Sequence, residues 1–183
     1  MAQFTKKAII ETFWNLLNEK RLDRITVKDI VAQCGVSRKT FYYYFDDVFD
    51  LLNKCLEDMK QESVSRIRDI HSFEAELLKL ADFVSENRRA VYHICNSVNS
   101  DKIQDYLYES AFPVISVMVK KRIEKTELEI YSETVCEICA NAFAGSILRW
   151  IKDGMSDGFE KKLKEIVFVF EYTLGFEDEN KTE

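Results

Sequence analysis

Turn-forming residues are scarce in this chain, and that scarcity limits the folds open to it. The 183 residues include one proline and five glycines. A sheet-rich fold needs turn residues roughly every 8–12 positions, whereas long helices need few of them. Apolar residues recur instead at helical spacing through most of the sequence. We therefore predict an all-α fold of about nine helices.

Charge is distributed unevenly along the chain, whose formal net charge is -6. Residues 1–45 contain eight Lys or Arg and four Asp or Glu, whereas the remaining residues contain 18 and 28. A basic segment attached to an acidic body is expected of a nucleic-acid-binding module joined to a regulatory part. On charge alone, chance asymmetry is the alternative.

The N-terminal quarter of the chain contains signals for three helices. An apolar stripe predicts the first helix over residues 5–20. Thr26 and Asp29 have the spacing of a capping box at the start of a second helix. Gly35 can adopt the left-handed conformation that ends this helix, and Ser37 can cap a third one. Two short helices joined by a tight glycine turn are typical of a helix-turn-helix.

The third predicted helix, residues 38–45, has two different faces. Phe41 and Phe45 are placed to pack inward, together with Val36. Arginine can contact guanine through two donors, lysine can neutralise phosphate, and hydroxyl groups can bond phosphates or base edges. We therefore predict that the outward face enters the major groove of DNA, with a packing role as the alternative for the tyrosines. That face carries Arg38, Lys39, Thr40, Tyr42 and Tyr43.

These residues resemble the head of the TetR family of bacterial transcriptional regulators. The resemblance covers residues 5–52 or so and implies a helix-turn-helix DNA-binding domain over residues 1–50. It also implies an effector-binding and dimerisation domain over residues 51–176. The polar composition of residues 177–183 predicts a flexible acidic tail. The shared motif consists of Thr26, Ile30, Gly35, Val36, Ser37, Thr40, Phe41, Tyr42, Tyr44 and Phe45. The implied DNA-contacting residues are Thr26, Lys28, Ser37, Arg38, Lys39, Thr40, Tyr42, Tyr43 and Tyr44.

One position departs from the family pattern. The family usually has lysine near the start of the fourth helix, where it holds a phosphate, whereas this chain has Val48 after Asp46 and Asp47. Carboxylates near DNA weaken non-specific affinity. Lys6 and Lys7, together with Lys28, are available to compensate.

The last two predicted helices, over residues 128–153 and 159–174, carry apolar stripes. Because TetR relatives dimerise through two such helices per chain, the resemblance implies a homodimer whose recognition helices contact two half-sites of a palindrome. Packing within one chain is the alternative. The segment 144–155 also resembles the branch of the family that includes dihydroxyacetone kinase regulators. The predicted interface residues are Phe143, Ile147, Trp150, Ile151, Leu163, Ile166, Val167 and Phe170.

The middle helices, predicted over residues 72–86, 88–97 and 101–124, are expected to enclose a pocket for an unknown small-molecule effector. Pro113 should kink or split the last of these helices. Ordinary core packing is the alternative for each candidate pocket residue. The candidates are Phe83, Tyr92, His93, Tyr106, Phe112, Met118 and Phe143.

Other chemistry has little support in the sequence. Cys136 and Cys139 form a single CxxC without further metal ligands, so we expect two small buried side chains, with a redox sensor as the alternative. No nucleophile–base pair, cofactor motif or metal cluster is apparent, so we expect no enzymatic activity. The absence of a signal-peptide pattern and of a long apolar run predicts a cytoplasmic protein without a membrane span.

The sequence as a whole predicts a sequence-specific DNA-binding regulator, expected to be a repressor, as is usual in the family. The alternative is a co-regulator with the same fold that binds DNA weakly by itself and acts through a partner protein.

Overall fold

In the computed structural model, the described residues form nine α-helices and no strand, which confirms the all-α prediction. The structure describes residues 2–66, 70–97, 100–124, 126–155 and 158–174. The first four helices are α1 (Ala2–Glu19), α2 (Val27–Cys34), α3 (Arg38–Tyr44) and α4 (Val48–Arg66). The others are α5 (Ile70–Glu86), α6 (Arg88–Cys95), α7 (Ser100–Ile123), α8 (Ser132–Lys152) and α9 (Phe159–Leu174).

Local signals in the sequence place the ends of α2 and α3. Thr26 and Asp29 form the predicted capping box, and Gly35 ends α2 with a φ of 72°. Ser37 accepts a hydrogen bond from the backbone N–H of Thr40 at 3.0 Å and so caps α3. These bonds satisfy backbone groups that have no partner inside the helices, which confirms the predicted caps.

The helices pack around one continuous cluster of buried apolar side chains. Helix α1 lies against α2 and α6, α4 lies against α7, and α7 packs extensively against α8. The predicted domain boundary at residue 50 falls in the first turn of α4. Helix α4 therefore continues from the helix-turn-helix segment into the rest of the protein.

Helix α7 contains Pro113 and is assigned as one helix across it, so the proline does not split the helix. A 3₁₀ turn at Glu129–Tyr131 precedes α8, which begins at Ser132, four residues later than the sequence predicts. None of the described helices is long and apolar enough to cross a membrane. The tail over residues 177–183 lies outside the described residues.

Candidate nucleic-acid interface

The outward face of α3 is open to solvent. Tyr42 is 55% exposed and Tyr43 is 79% exposed. Arg38 and Lys39 are exposed at the start of the same helix. Two cations and two aromatic rings therefore project from a helix of seven residues, which is a surface able to contact both bases and phosphates.

The opposite face of α3 holds the helix in place. Phe41 is fully buried and Phe45 is 1% exposed, with ring centroids 5.6 Å apart. Tyr44 is half-buried, and its ring meets that of Tyr43 edge-on at 4.8 Å. Packing is thus concentrated on Phe41 and Phe45, while Tyr42 and Tyr43 project their side chains outward.

Three predicted DNA-contacting hydroxyl residues already have partners within the chain. The Ser37 and Thr40 hydroxyls lie 2.8 Å apart. The Thr26 hydroxyl donates to Asp29 Oδ2 at 2.8 Å. A phosphate oxygen only accepts hydrogen bonds, and the hydroxyl proton of Thr26 is already donated to Asp29. The bond between Ser37 and Thr40 uses one of their two hydroxyl protons, so the other can be donated to a phosphate. Thr26 and Ser37 therefore serve as helix caps, and the DNA contacts of the three residues stay predictions.

A lysine that the sequence analysis did not single out stabilises the cap of α2. Lys20 Nζ donates to Asp29 Oδ2 at 2.9 Å. This bond, with those from the Thr26 hydroxyl and backbone N–H, lowers the pKa of Asp29 to about 2. The carboxylate therefore stays ionised and keeps the start of α2 capped at neutral pH.

The start of α4 explains the departure at Val48. Val48 is 7% exposed and belongs to the core, so it has no role at the surface. Asp47 accepts from the backbone N–H of Asp50 at 2.7 Å, and Asp50 accepts from the backbone N–H of Asp46 at 2.9 Å. The acidic residues therefore cap α4, although they also place negative charge beside the recognition helix.

Lys54 offsets part of this charge and also contacts the end of α3. Its Nζ donates to Asp50 Oδ2 at 2.8 Å and to the carbonyl oxygen of Tyr44 at 3.1 Å. Burial opposes ionisation of Asp50, but the bonds from Lys54 and from the Asp46 N–H outweigh it and lower the pKa of Asp50. The i,i+4 spacing of Asp50 and Lys54 could have predicted their ion pair. The contact with Tyr44 depends on tertiary structure.

The other basic residues of the head differ in whether their charged groups are available to contact DNA. Lys6 Nζ lies 3.3 Å from Asp58 Oδ2 on α4, and Lys7 Nζ lies 3.7 Å from Glu11 Oε1. Lys28 is exposed in the first turn of α2. Of the three lysines suggested to compensate for Val48, Lys28 is therefore best placed for a phosphate contact.

Six of the eight predicted interface residues of α8 and α9 lie in the core of the single chain. Burial leaves each of them little area to offer to a second copy, as expected if the apolar stripes pack within one chain. The side chains of Val167 and Phe170 lie outside the described part of the structure. Exposed fractions of 8% or less are found for Phe143, Ile147, Trp150, Ile151, Leu163 and Ile166.

The predicted effector-binding residues do not converge on one described cavity. Phe83 packs edge-on against Trp14 of α1 at 5.3 Å, and His93 Nδ1 lies 2.7 Å from the carbonyl oxygen of Leu17. Tyr92 is 40% exposed. The remaining candidates, Phe112, Met118 and Phe143, are half-buried or buried members of the apolar cluster.

A cleft of about 390 Å³ lies between α4 and α7, and Tyr106 is the one predicted effector residue that lines it. Burial raises the pKa of Tyr106. Lys60 bridges the cleft, with its Nζ 2.6 Å from Glu57 and 2.7 Å from Glu109. Six of its nine lining residues are charged, and the full set consists of Asn53, Lys54, Leu56, Glu57, Lys60, Lys102, Asp105, Tyr106 and Glu109.

Cys136 is buried and Cys139 is half-buried in α8. Burial raises the pKa of the Cys139 thiol, which reduces the reactive thiolate fraction. Within the described residues, no group of three or more His, Cys, Asp or Glu side chains is arranged to hold a metal ion.

Two family models match this chain. The model for bacterial regulatory proteins of the tetR family matches residues 9–55, and a model for a transcriptional regulator C-terminal region matches residues 71–167. The first match contains the helix-turn-helix described above, and the second covers more than half of the chain.

Two curated proteins are similar over part of their length. DhaS of Lactococcus lactis, the HTH-type dhaKLM operon transcriptional activator, is 31% identical over 84 residues, which are 46% of this chain and 45% of DhaS. YxbF of Bacillus subtilis, an uncharacterized HTH-type transcriptional regulator, is 31% identical over 61 residues, which are 33% of this chain and 16% of YxbF. The matched segments thus span less than half of either relative.

Solved structures share the fold over nearly the whole chain. The dihydroxyacetone kinase operon activator DhaS has a TM-score of 0.74 at 20% identity, covering 94% of this chain and 97% of that one. A TetR transcriptional regulator from Streptococcus agalactiae has a TM-score of 0.63 at 22% identity, covering 92% and 94%. The chain is thus similar in sequence and in fold to a member of the branch that the sequence analysis expects. The chain belongs to the TetR family of DNA-binding bacterial transcriptional regulators.

Proposed function

We propose that this protein is a sequence-specific regulator that binds a palindromic operator as a homodimer in the bacterial cytoplasm and responds to a small-molecule effector. The observation that carries the proposal is the exposed outward face of α3, with Arg38, Lys39, Tyr42 and Tyr43 held above a buried Phe41. A rigid helix with exposed cations suits insertion into a major groove. Lys28 supplies a phosphate contact beside it.

The dimer surface that we propose consists of exposed neighbours of the buried stripe on α8. Ile138, Ala142, Gly145 and Arg149 follow each other at spacings of four, three and four residues, which places them on one face of the helix. Ile138 is 63% exposed. On α9, Phe168 and Val169 are 65% and 58% exposed and add apolar area. An exposed apolar face of this kind supports an isologous contact between two copies.

Replacing Gly145 with leucine tests this surface. A Cβ at Gly145 would meet no atom within 4 Å in the single chain, so a side chain can leave the backbone there without a clash at its first atom. In a dimer the same side chain enters the contact and should lower the dimer fraction at least tenfold in sedimentation equilibrium. Val117→Leu, on an exposed position of α7, is the control. Unchanged association of the Gly145 variant would place the dimer surface elsewhere.

We propose the cleft between α4 and α7 as an effector site because its volume suits a small molecule. Its lysines and carboxylates favour a polar effector over an apolar one. Lys54 lines this cleft and also donates to the Tyr44 carbonyl, so a bound effector can alter the support of α3. A crystal structure of the complex, or an NMR titration, that locates the effector in another cavity would contradict the assignment of this cleft as the effector site.

Repression is the sign of regulation expected from the family resemblance, whereas the similar protein DhaS is an activator by name. A promoter–reporter fusion in a host lacking the gene distinguishes the two. Expression of this chain lowers reporter output if it represses and raises it if it activates. The DNA-binding part of the proposal holds in both cases.

The acidic start of α4 favours the second candidate, a co-regulator that needs a partner protein to bind DNA firmly. Purified protein is incubated with DNA from upstream of its own gene and with a random-sequence pool, across a salt series. Enrichment of one short palindrome supports independent recognition, and binding should weaken steeply with salt. A pool without enrichment would reject independent recognition and favour the co-regulator.

A further inference from the structure

Helix α6 receives its N-terminal cap from helix α1. Ala90 is the third residue of α6, so its backbone N–H has no acceptor within the helix. This N–H donates to Asn18 Oδ1 at 3.3 Å. Asn87 precedes α6 but makes no side-chain cap, because its amide donates to the Phe83 carbonyl at 3.0 Å. The cap is therefore supplied from the helix-turn-helix head.

Helix α1 receives a cap from α6 in return. Leu17 lies in the last turn of α1, where backbone carbonyls lack helical partners. Its carbonyl oxygen is 2.7 Å from His93 Nδ1. Because a carbonyl can only accept, Nδ1 carries the proton. Asn18 Nδ2 donates to the Trp14 carbonyl at 3.1 Å, which orients Oδ1 towards Ala90.

Helix α6 is also hydrogen-bonded to the residues that follow α8. Arg88 Nη2 donates to the carbonyl oxygens of Gly154 at 2.7 Å and Met155 at 2.8 Å. Gly154 and Met155 have φ values of 87° and 55°, and Met155 is buried. Helix α6 thus joins α1 of the head to the end of the helix on which the proposed dimer surface lies.

We propose that Asn18 and His93 are positioning residues that fix the head on the body and so set the distance between the two recognition helices of a dimer. This inference rests on the proposed function, in which a dimer binds two DNA half-sites. The two bonds are lost together when α1 moves away from α6, which leaves Ala90 N–H and Leu17 C=O without partners. Partial displacement is therefore disfavoured, and the head has one preferred orientation. His93, a candidate effector residue in the sequence, belongs to this joint.

The test compares three duplexes built from the sequence that the wild type selects. One carries two half-sites at the selected spacing, one has that spacing changed by two base pairs, and one carries a single half-site. His93→Phe and Asn18→Ala each remove one cap, whereas His93→Asn keeps an N–H donor for the Leu17 carbonyl. Arg89→Lys, at an exposed position of the same helix, is the control. Circular dichroism checks the helical content of each variant.

We expect His93→Phe and Asn18→Ala to bind the two-half-site duplex about tenfold more weakly and to bind the single half-site within twofold of wild type. Their preference for the selected spacing should shrink, and His93→Asn should keep it close to that of the wild type. Equal losses on both duplexes, or an unchanged preference, would overturn the positioning role. A wild type that binds one and two half-sites equally would overturn the proposed dimeric reading, and this inference with it.

Discussion

The head and the body of this protein use exposed and buried side chains in different ways. In α3, Arg38, Lys39, Tyr42 and Tyr43 are exposed, and the helix is anchored mainly by the buried Phe41 and by Phe45 at its end. In α8, the residues expected to contact a second subunit are buried in their own chain, and their neighbours, such as Ile138, are exposed. A short helix has room for a functional face beside a small core, whereas a long central helix buries most of its apolar stripe. A sequence motif therefore identifies function in the head more directly than an apolar stripe does in the body.

The sharpest contrast on α3 is between Phe41 and Tyr43. Phe41→Ala removes a fully buried ring and should lower the free energy of unfolding by about 3–5 kcal/mol. Tyr43→Ala truncates a side chain that is 79% exposed and should change that free energy by less than about 0.5 kcal/mol. Urea denaturation gives both values. A large destabilisation by Tyr43→Ala would mean that the outward face is structural.

The corresponding contrast on α8 is between Ile147 and Ile138. Ile147 is 1% exposed, so Ile147→Ala should destabilise each chain by about 2–5 kcal/mol at any protein concentration. Ile138→Ala should instead weaken the dimer, and its effect on the melting temperature should disappear when the protein is diluted. Melting curves at several concentrations separate the two effects. If Ile147→Ala instead showed the concentration-dependent effect and Ile138→Ala did not, Ile147 would belong to the dimer interface as the sequence predicts.

The cap of α2 should depend on pH. The pKa of Asp29 is about 2 in the fold and 3.8 as an unperturbed group, so its bonds stabilise the protein above pH 4. That stability is lost as pH falls through about 2. Asp29→Ala should cost about 1 kcal/mol at neutral pH, with the difference from wild type closing between pH 4 and 2. A difference that stays constant over this range would contradict the ionised cap.

Removing one negative charge at the start of α4 should have the smallest of these effects, a modest change in DNA affinity. Asp46 is exposed and its carboxylate is not the one that caps α4, which is that of Asp47. Asp46→Asn should raise DNA affinity about two- to fivefold at low salt and less at high salt. Asp82→Asn, on the exposed side of α5, should leave affinity unchanged. Equal effects of the two variants would show that Asp46 lies far from the phosphates.

Most of the fold could be predicted from sequence because its signals are local. The cap at Thr26, the left-handed Gly35 and the cap at Ser37 each depend on neighbours within a few positions. Contacts between distant segments could not be predicted in this way. The bond from Lys54 to the Tyr44 carbonyl and that from His93 to the Leu17 carbonyl depend on how helices pack. Periodicity identifies the apolar side of α8 but does not say whether that side faces its own chain or a second one.

The most direct test of DNA reading by α3 is the sequence preference of Arg38→Ala beside that of Lys39→Ala. Both side chains are exposed in the first turn of α3. Arg38→Ala should weaken binding to the selected operator by about 1–3 kcal/mol and relax specificity at one base position in each half-site. Lys39→Ala should weaken binding to all sequences and leave the selected motif unchanged. A selection in which Arg38→Ala yields the wild-type motif at wild-type affinity would contradict base reading by this face.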